Sequence, residues 1–200
     1  MTTRTVALAS RNPGKLREIH SILAAAGVDV AVVSSDEFPD WIPPEETEPD
    51  YAGNAFLKAR SLAAFAGVAA LADDSGIEVD ALGGAPGVRS ARFAGENATD
   101  EHNLNKLIDR IRLVPTYERT ARYRCVAVLV TPGGDEWRAD GTVEGRLIVE
   151  PRGDGGFGYD PIFIAEGESR TMSELTSSEK DRISHRGKAF RGLVDRLREV

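Results

Sequence analysis

Val6-Ala7-Leu8-Ala9-Ser10-Arg11-Asn12-Pro13-Gly14-Lys15 opens the chain with a short apolar run, a polar turn and a helix start. The four apolar residues have the length and character of a buried strand. Asn12 suits an N-cap, and Pro13 suits the first helical position, where its missing N–H is no loss. Leu16, Ile19, Leu23 and Ala26 then recur at helical spacing, and Gly27 stops the helix. Strand, loop and helix in this order open an α/β fold.

The rest of the chain continues that pattern and then departs from it. Residues 28–33 read as a second strand, 34–50 as a loop rich in proline and acid, and 51–66 as an alanine-rich helix closed by Gly67. Val68-Ala69-Ala70-Leu71-Ala72 reads as a strand that stops at Asp73-Asp74. Gly83-Gly84-Ala85-Pro86-Gly87 is too dense in breakers for regular structure, so it reads as an ordered loop before a helix at 100–112. Residues 121–130, the turn Pro132-Gly133-Gly134-Asp135, and 136–149 with an interruption at Gly145 read as an antiparallel hairpin and a further strand. From Ser184 onward, Phe190, Leu193, Val194, Leu197 and Val200 share one helical face, which should pack against the sheet. Parallel and antiparallel pairs together give an α/β chain with a mixed sheet and flanking helices.

Two hundred residues, 41% of them hydrophobic, suffice for one globular domain over residues 1–200. The net charge of −7 argues against a partner of polymeric nucleic acid, which calls for clustered Lys and Arg. A small anionic substrate stays open, through local positive charge. Cys125, the single cysteine, sits in an apolar run, which excludes an internal disulfide and points to a reducing compartment. No apolar run approaches the ~20 residues of a membrane span, so the expectation is a cytoplasmic protein.

Four stretches carry chemistry. In Ser10-Arg11-Asn12-Pro13-Gly14-Lys15, a capped helix start beside a lysine is an anion-binding geometry, without the glycine spacing of a P-loop. Asp73 and Asp74 close an apolar strand, where the strand end of an α/β sheet faces the ligand, and two adjacent carboxylates repel unless a cation intervenes. Mg²⁺ is the natural candidate, with Glu45 and Glu46 as further oxygen ligands from the acidic loop. Lys58 can reach phosphate from a helix of its own. Gly155-Gly156-Phe157-Gly158-Tyr159-Asp160-Pro161 surrounds an aromatic ring with glycines, which lets a planar ligand approach Phe157. Lys180, His185 and Arg186 supply donors of different reach for a ring carbonyl or a phosphate. Each stretch also has a plainer reading as a capped helix, a solvated turn or surface charge.

Taken together with Glu45-Glu46-Thr47, Asn54-Ala55-Phe56-Leu57-Lys58-Ala59, Ala72 to Val79, Gly83 to Gly87 and Ser184-His185-Arg186-Gly187, these stretches give a close match over nearly the whole length. The chain resembles the Ham1/RdgB-type inosine triphosphate pyrophosphatase family. The resemblance implies Mg²⁺-dependent hydrolysis of ITP, dITP and XTP to the nucleoside monophosphate and pyrophosphate, by an elongated α/β homodimer whose two lobes flank a central cleft. Carried over by position, it implies that Ser10, Arg11, Asn12, Pro13, Gly14 and Lys15 hold the triphosphate with support from Lys58. Glu46 and Asp74 then bind Mg²⁺ with Asp73 close by, and Asp74 resembles the general base. Ser75 aligns with a substrate contact, Phe157, Gly158, Tyr159 and Asp160 with the base and sugar pocket, and Lys180, His185 and Arg186 with the readers of the purine edge.

Two positions depart from the pattern: Gly53, where an acidic residue is common, and Val143, where a tryptophan is common. Two rival readings stand beside this one. One is a Maf-like pyrophosphatase acting on pyrimidine or modified nucleotides. The other is a nucleotide sensor without catalysis, which three nearby carboxylates at Glu46, Asp73 and Asp74 disfavour because a mere binder of polyanions gains little from them.

Overall fold

In the computed structural model, which describes residues 4–200, the opening apolar run is β1 (Arg4–Leu8), followed by α1 (Pro13–Ala25). β2 (Val30–Ser34), α2 (Tyr51–Ala66), β3 (Ala69–Val79) and α3 (Asp100–Ile111) come next. Three further strands follow, β4 (Thr120–Val130), β5 (Glu136–Leu147) and β6 (Phe163–Ala165). α4 (Ser177–Ile183), α5 (His185–Arg191) and α6 (Val194–Leu197) close the chain. The strands hydrogen-bond in the order β2-β1-β3-β4-β5-β6. β1 runs parallel to β2 and β3, whereas β5 and β6 are antiparallel, so the sheet is mixed as expected.

The chain packs as two compact units. The first holds residues up to Asp74, Cys125–Gly141 and Arg186–Val200, and the second holds Ser75–Arg124 and Thr142–His185, so β3, β4 and β5 each contribute to both. In the first unit α1 turns Ile19, Ile22 and Leu23 inward, a 3–4 spacing that puts them on one face. They meet Leu8, Leu71 and Leu129 from the strands and Phe190 and Leu193 from the C-terminal segment. The core of the second unit gathers Ile77, Leu107, Ile111, Leu147, Ile162 and Phe163. Val143 belongs to this core, so the position where the resemblance has a tryptophan is filled by a buried aliphatic side chain. Each such side chain contributes about 1.5–3 kcal/mol relative to exposure.

The fold differs from the sequence expectation in four places; one is Gly145, which does not interrupt β5 but pairs within the ladder opposite Ala165. β3 does not stop at Asp73-Asp74 but continues to Val79, because both carboxylates find partners. The C-terminal helix is broken after Arg191, at Gly192, where a Cβ would come within 2.6 Å of Ala139 Cβ on β5. Close approach there requires glycine, and glycine is a poor helix residue. α4 was not expected; Thr176 and Glu179 start it with reciprocal side-chain to backbone hydrogen bonds, a capping box.

Candidate active site

The first unit holds the capped helix start at residues 10–15. Asn12 caps α1 as expected, its Oδ1 accepting from the backbone N–H of Gly14 at 2.8 Å and of Lys15 at 3.3 Å. Those two amides, expected to face outward, are thereby satisfied within the turn. The backbone N–H of Asn12 donates to Ser10 Oγ at 3.1 Å, which folds the loop back on itself. Arg11 donates to the Trp41 carbonyl at 3.3 Å and stands 3.6 Å from Asp36, half-exposed. Lys15, on the first turn of the helix, is the second cation of this stretch.

Lys15 Nζ contacts both carboxylate oxygens of Asp73, at 3.1 and 3.0 Å. Arg186, at the start of α5, donates to Asp73 Oδ2 through Nε and Nη2 at 3.3 Å each, and its Nη1 donates to Glu18 Oε2 at 2.5 Å. Cys125 Sγ lies 3.9 Å from the same Asp73 oxygen. Burial alone would raise the Asp73 carboxyl, but Lys15, Arg186 and Lys58 outweigh it and hold the group well below the usual carboxylate range. Burial pushes the Cys125 thiol up, and the Asp73 charge adds to that.

Asp74 has the opposite environment. Its Oδ2 accepts from Asn54 Nδ2 at 3.2 Å, and Lys58 Nζ stands 3.8 Å from its Oδ1. Lys58 also donates to Glu46 Oε1 at 2.8 Å and to the Asp73 backbone carbonyl at 2.9 Å. Burial and the neighbouring Glu46 raise the Asp74 carboxyl above the ordinary value, against the pull of Lys58 and Lys15. Lys58 is itself pushed up: burial opposes its charge, but Asp74, Glu46 and Asp73 favour it more. Asn54, fully buried on α2, ties this set to the acidic loop by accepting from Glu48 N–H at 3.0 Å. Asp50 then caps α2 through Gly53 N–H at 2.8 Å. A Cβ at Gly53 would come within 2.6 Å of Glu48 Cβ, so the glycine and the glutamate share one space. Glu45 points outward, exposed. Among the described residues no three His, Cys, Asp or Glu side chains form a ready metal shell.

The second unit holds Ser75 and the glycine-rich loop. Asp160 organises the loop: its Oδ2 accepts from Phe157 N–H at 2.9 Å and from Lys180 Nζ at 2.7 Å. Gly156, at φ +73°, lacks the Cβ that would overlap that carboxylate, which is why the loop needs glycine here. Lys180 Nζ also lies over the half-buried Phe157 ring, 4.7 Å from its centroid. Gly158 N–H donates to Asp100 Oδ2 at 3.0 Å, and the loop with Asp100, Glu101, Leu104 and Pro161 lines a cavity of about 350 Å³. Tyr159 turns into the core and donates to the Ser90 carbonyl at 2.8 Å. His185 is buried and stacks on Tyr123, with ring centroids 4.5 Å apart and planes 4° from parallel.

The first unit therefore brings together Lys15, Glu46, Lys58, Asp73, Asp74 and Arg186, and the second brings together Phe157, Asp160 and Lys180. Sequence reasoning missed Glu18, Asn54 and Tyr123. Glu18 is three residues after Lys15 on one helix face, a spacing that sequence displays. For Tyr123, only alternation along β4 hints at an inward side chain, and nothing in the sequence names its neighbours.

The fold is that of an α/β protein with a mixed six-stranded sheet, and the site gathers cations around paired carboxylates. The Ham1 family model matches residues 6–196, and the chain belongs to this family. It is 50% identical over 200 residues, 98% of each chain, to the dITP/XTP pyrophosphatase of Frankia alni. To the dITP/XTP pyrophosphatase of Streptomyces coelicolor it is 48% identical over 193 residues, 96% of each chain. The solved structure of a HAM1 protein from Coxiella burnetii superimposes with a TM-score of 0.87 at 38% identity, covering 99% of this chain and all of that one.

Proposed function

We propose that this chain is a nucleoside triphosphate pyrophosphatase that hydrolyses dITP, ITP and XTP to the monophosphate and pyrophosphate, clearing them from the nucleotide pool. One observation carries the reading. Adjacent aspartates are divided, Asp73 kept anionic by Lys15 and Arg186, Asp74 raised and sharing Lys58 with Glu46. A carboxylate whose proton affinity is raised by burial and a neighbouring acid is what a general base for water requires.

The reading assigns the triphosphate to Ser10 through Lys15 with Lys58, and the base to Phe157, Gly158, Asp160 and Lys180, with Ser75 and Tyr159 as neighbouring contacts. Glu46 and Asp74 fit Mg²⁺, since Lys58 Nζ already stands among three oxygens of Glu46, Asp73 and Asp74 where a cation is favoured. When bound, the metal supplies charge neutralisation on the phosphate oxygens. Lys15 and Lys58 neutralise the same charge from the protein side. Asp74 orients a water and takes its proton as the water oxygen bonds to the α-phosphorus; the α–β bridging bond breaks, and its electron pair leaves with pyrophosphate. Asn54 holds the Asp74 carboxylate for that task.

Base choice falls to Lys180, itself paired with Asp160, and to His185, which share the second unit with Phe157. Their donors suit a 6-oxo purine, whereas the 6-amino group of adenine leaves them unpaired. Guanine shares the oxo group, so it is rejected at the 2-position. The reading places the enzyme in the cytoplasm, where the nucleotide pool is, and as a homodimer, which sedimentation velocity checks. No helix among the described residues is long and apolar enough to cross a membrane.

The test is pyrophosphate release from dITP, ITP and XTP against ATP, GTP, dUTP and methylated nucleotides. Preference for the first three supports the reading. Preference for dUTP or methylated nucleotides favours a Maf-like enzyme, and binding without turnover favours a sensor.

A further inference from the structure

Glu18, on α1 three residues beyond Lys15, has no part in the chemistry above, yet it ends a line of ion pairs that begins at Lys15. Lys15 pairs with Asp73, Asp73 with Arg186, and Arg186 with Glu18, so α1 supplies both ends of the chain of ion pairs. Two cations and two anions cancel. The side chains of Arg186, Asp73 and Glu18 are 3%, 1% and 13% exposed, whereas that of Lys15 is 18% exposed. The guanidinium is divided, with Nη1 on Glu18 and Nε and Nη2 on Asp73. Without Glu18, the whole Arg186 charge would fall on Asp73. That carboxylate would be satisfied from behind, and its hold on Lys15 would weaken.

We propose that Glu18 is a positioning residue that keeps the Arg186 charge out of the phosphate-binding end and so limits how tightly pyrophosphate is held. The proposal rests on the reading that Lys15 meets phosphate. A cation held equally on substrate and product slows release without helping the chemical step, so an enzyme that must release a polyanion gains by cancelling one.

The experiment compares wild type with Glu18→Gln, using inorganic pyrophosphate titrated calorimetrically in metal-free buffer and steady-state kinetics on dITP. Neutralising Glu18 adds one net positive charge near the ligand, and the expected result is about tenfold tighter pyrophosphate binding, with KM and kcat both lowered. Pyrophosphate affinity unchanged or weakened in a folded variant overturns the proposal, as does a wild type with no measurable affinity for pyrophosphate. If Glu18→Gln does not fold, Glu18→Gln/Arg186→Gln restores charge balance. Affinity within about twofold of wild type is then expected, and about a tenfold loss overturns the proposal. A wild type that binds pyrophosphate but cleaves no triphosphate overturns the proposed function alone, since the affinities still decide the role of Glu18.

Discussion

Replacing each of the two adjacent aspartates by asparagine should move stability in opposite directions. The Asp73 carboxylate is 1% exposed and is contacted by Lys15 at 3.0 Å and by Arg186 at 3.3 Å. Asp73→Asn leaves the Arg186 guanidinium, 3% exposed, leaning on Glu18. Removing one partner of a buried ion pair costs about 3–5 kcal/mol, and that is the loss expected at pH 7. Because the folded-state pKa of Asp73 is depressed, its contribution is present above the ordinary carboxylate pKa and is lost as pH falls through the folded value. The gap between wild type and Asp73→Asn should therefore narrow below about pH 4. For Asp74, burial raises the carboxyl, so the fold favours its neutral form. That contribution is present below the ordinary value and lost as pH rises through the raised one, leaving an unfavourable charge at pH 7. Asp74→Asn should be neutral or stabilising by up to about 1 kcal/mol while abolishing turnover. Urea unfolding followed by circular dichroism at pH 7 and at about pH 3 measures both. An Asp73→Asn loss below about 1 kcal/mol, or an equal loss for the two variants, would refute the assignment of their environments.

The raised Asp74 carboxyl should place the acid limb of kcat/KM above the ordinary carboxylate range, seen in a pH profile on dITP; Glu46→Gln, which removes a raising influence, should move that limb down. Gly53→Ala should destabilise by about 1–3 kcal/mol through its clash with Glu48, and Glu48→Gly in the same chain should recover most of it, as thermal melts report. Cys125, buried and with its thiol pushed up, should resist iodoacetamide in the native protein and react only on unfolding, read by mass spectrometry.

Much of the fold could be read from local signals. The α2 bounds at 51 and 66 were visible because an alanine-rich run ends in Gly67, which takes the left-handed conformation that a C-cap favours. The Asn12 cap and Pro13 start of α1 were visible for similar reasons. The break at Gly192 was not, because its cause is Ala139, more than fifty residues earlier in the chain. At the site, residue types pointed to phosphate, carboxylate and aromatic chemistry, but not to who pairs with whom. Arg186 reads from sequence as a donor near a helix start, beside His185, with reach to a ring carbonyl or a phosphate. That Glu18 and Asp73, from two other elements, are among its partners is not legible there.

The sequence expectation ended β3 where the apolar run meets Asp73-Asp74, two adjacent carboxylates that repel, yet continuation of the strand is what resolves the repulsion. Successive side chains on a strand point to opposite faces. Asp73 therefore meets α1 and α5 through Lys15 and Arg186, and Asp74 meets α2 through Asn54 and Lys58. One carboxylate receives two cations and stays charged. The other is buried with only a shared lysine and a second acid beside it, and its affinity for a proton rises. A turn at the same place would have left both carboxylates in solvent with similar, ordinary pKa values. The division of labour between a structural anion and a base thus comes from the two-residue period of β3, with the helices on either side supplying unequal charge.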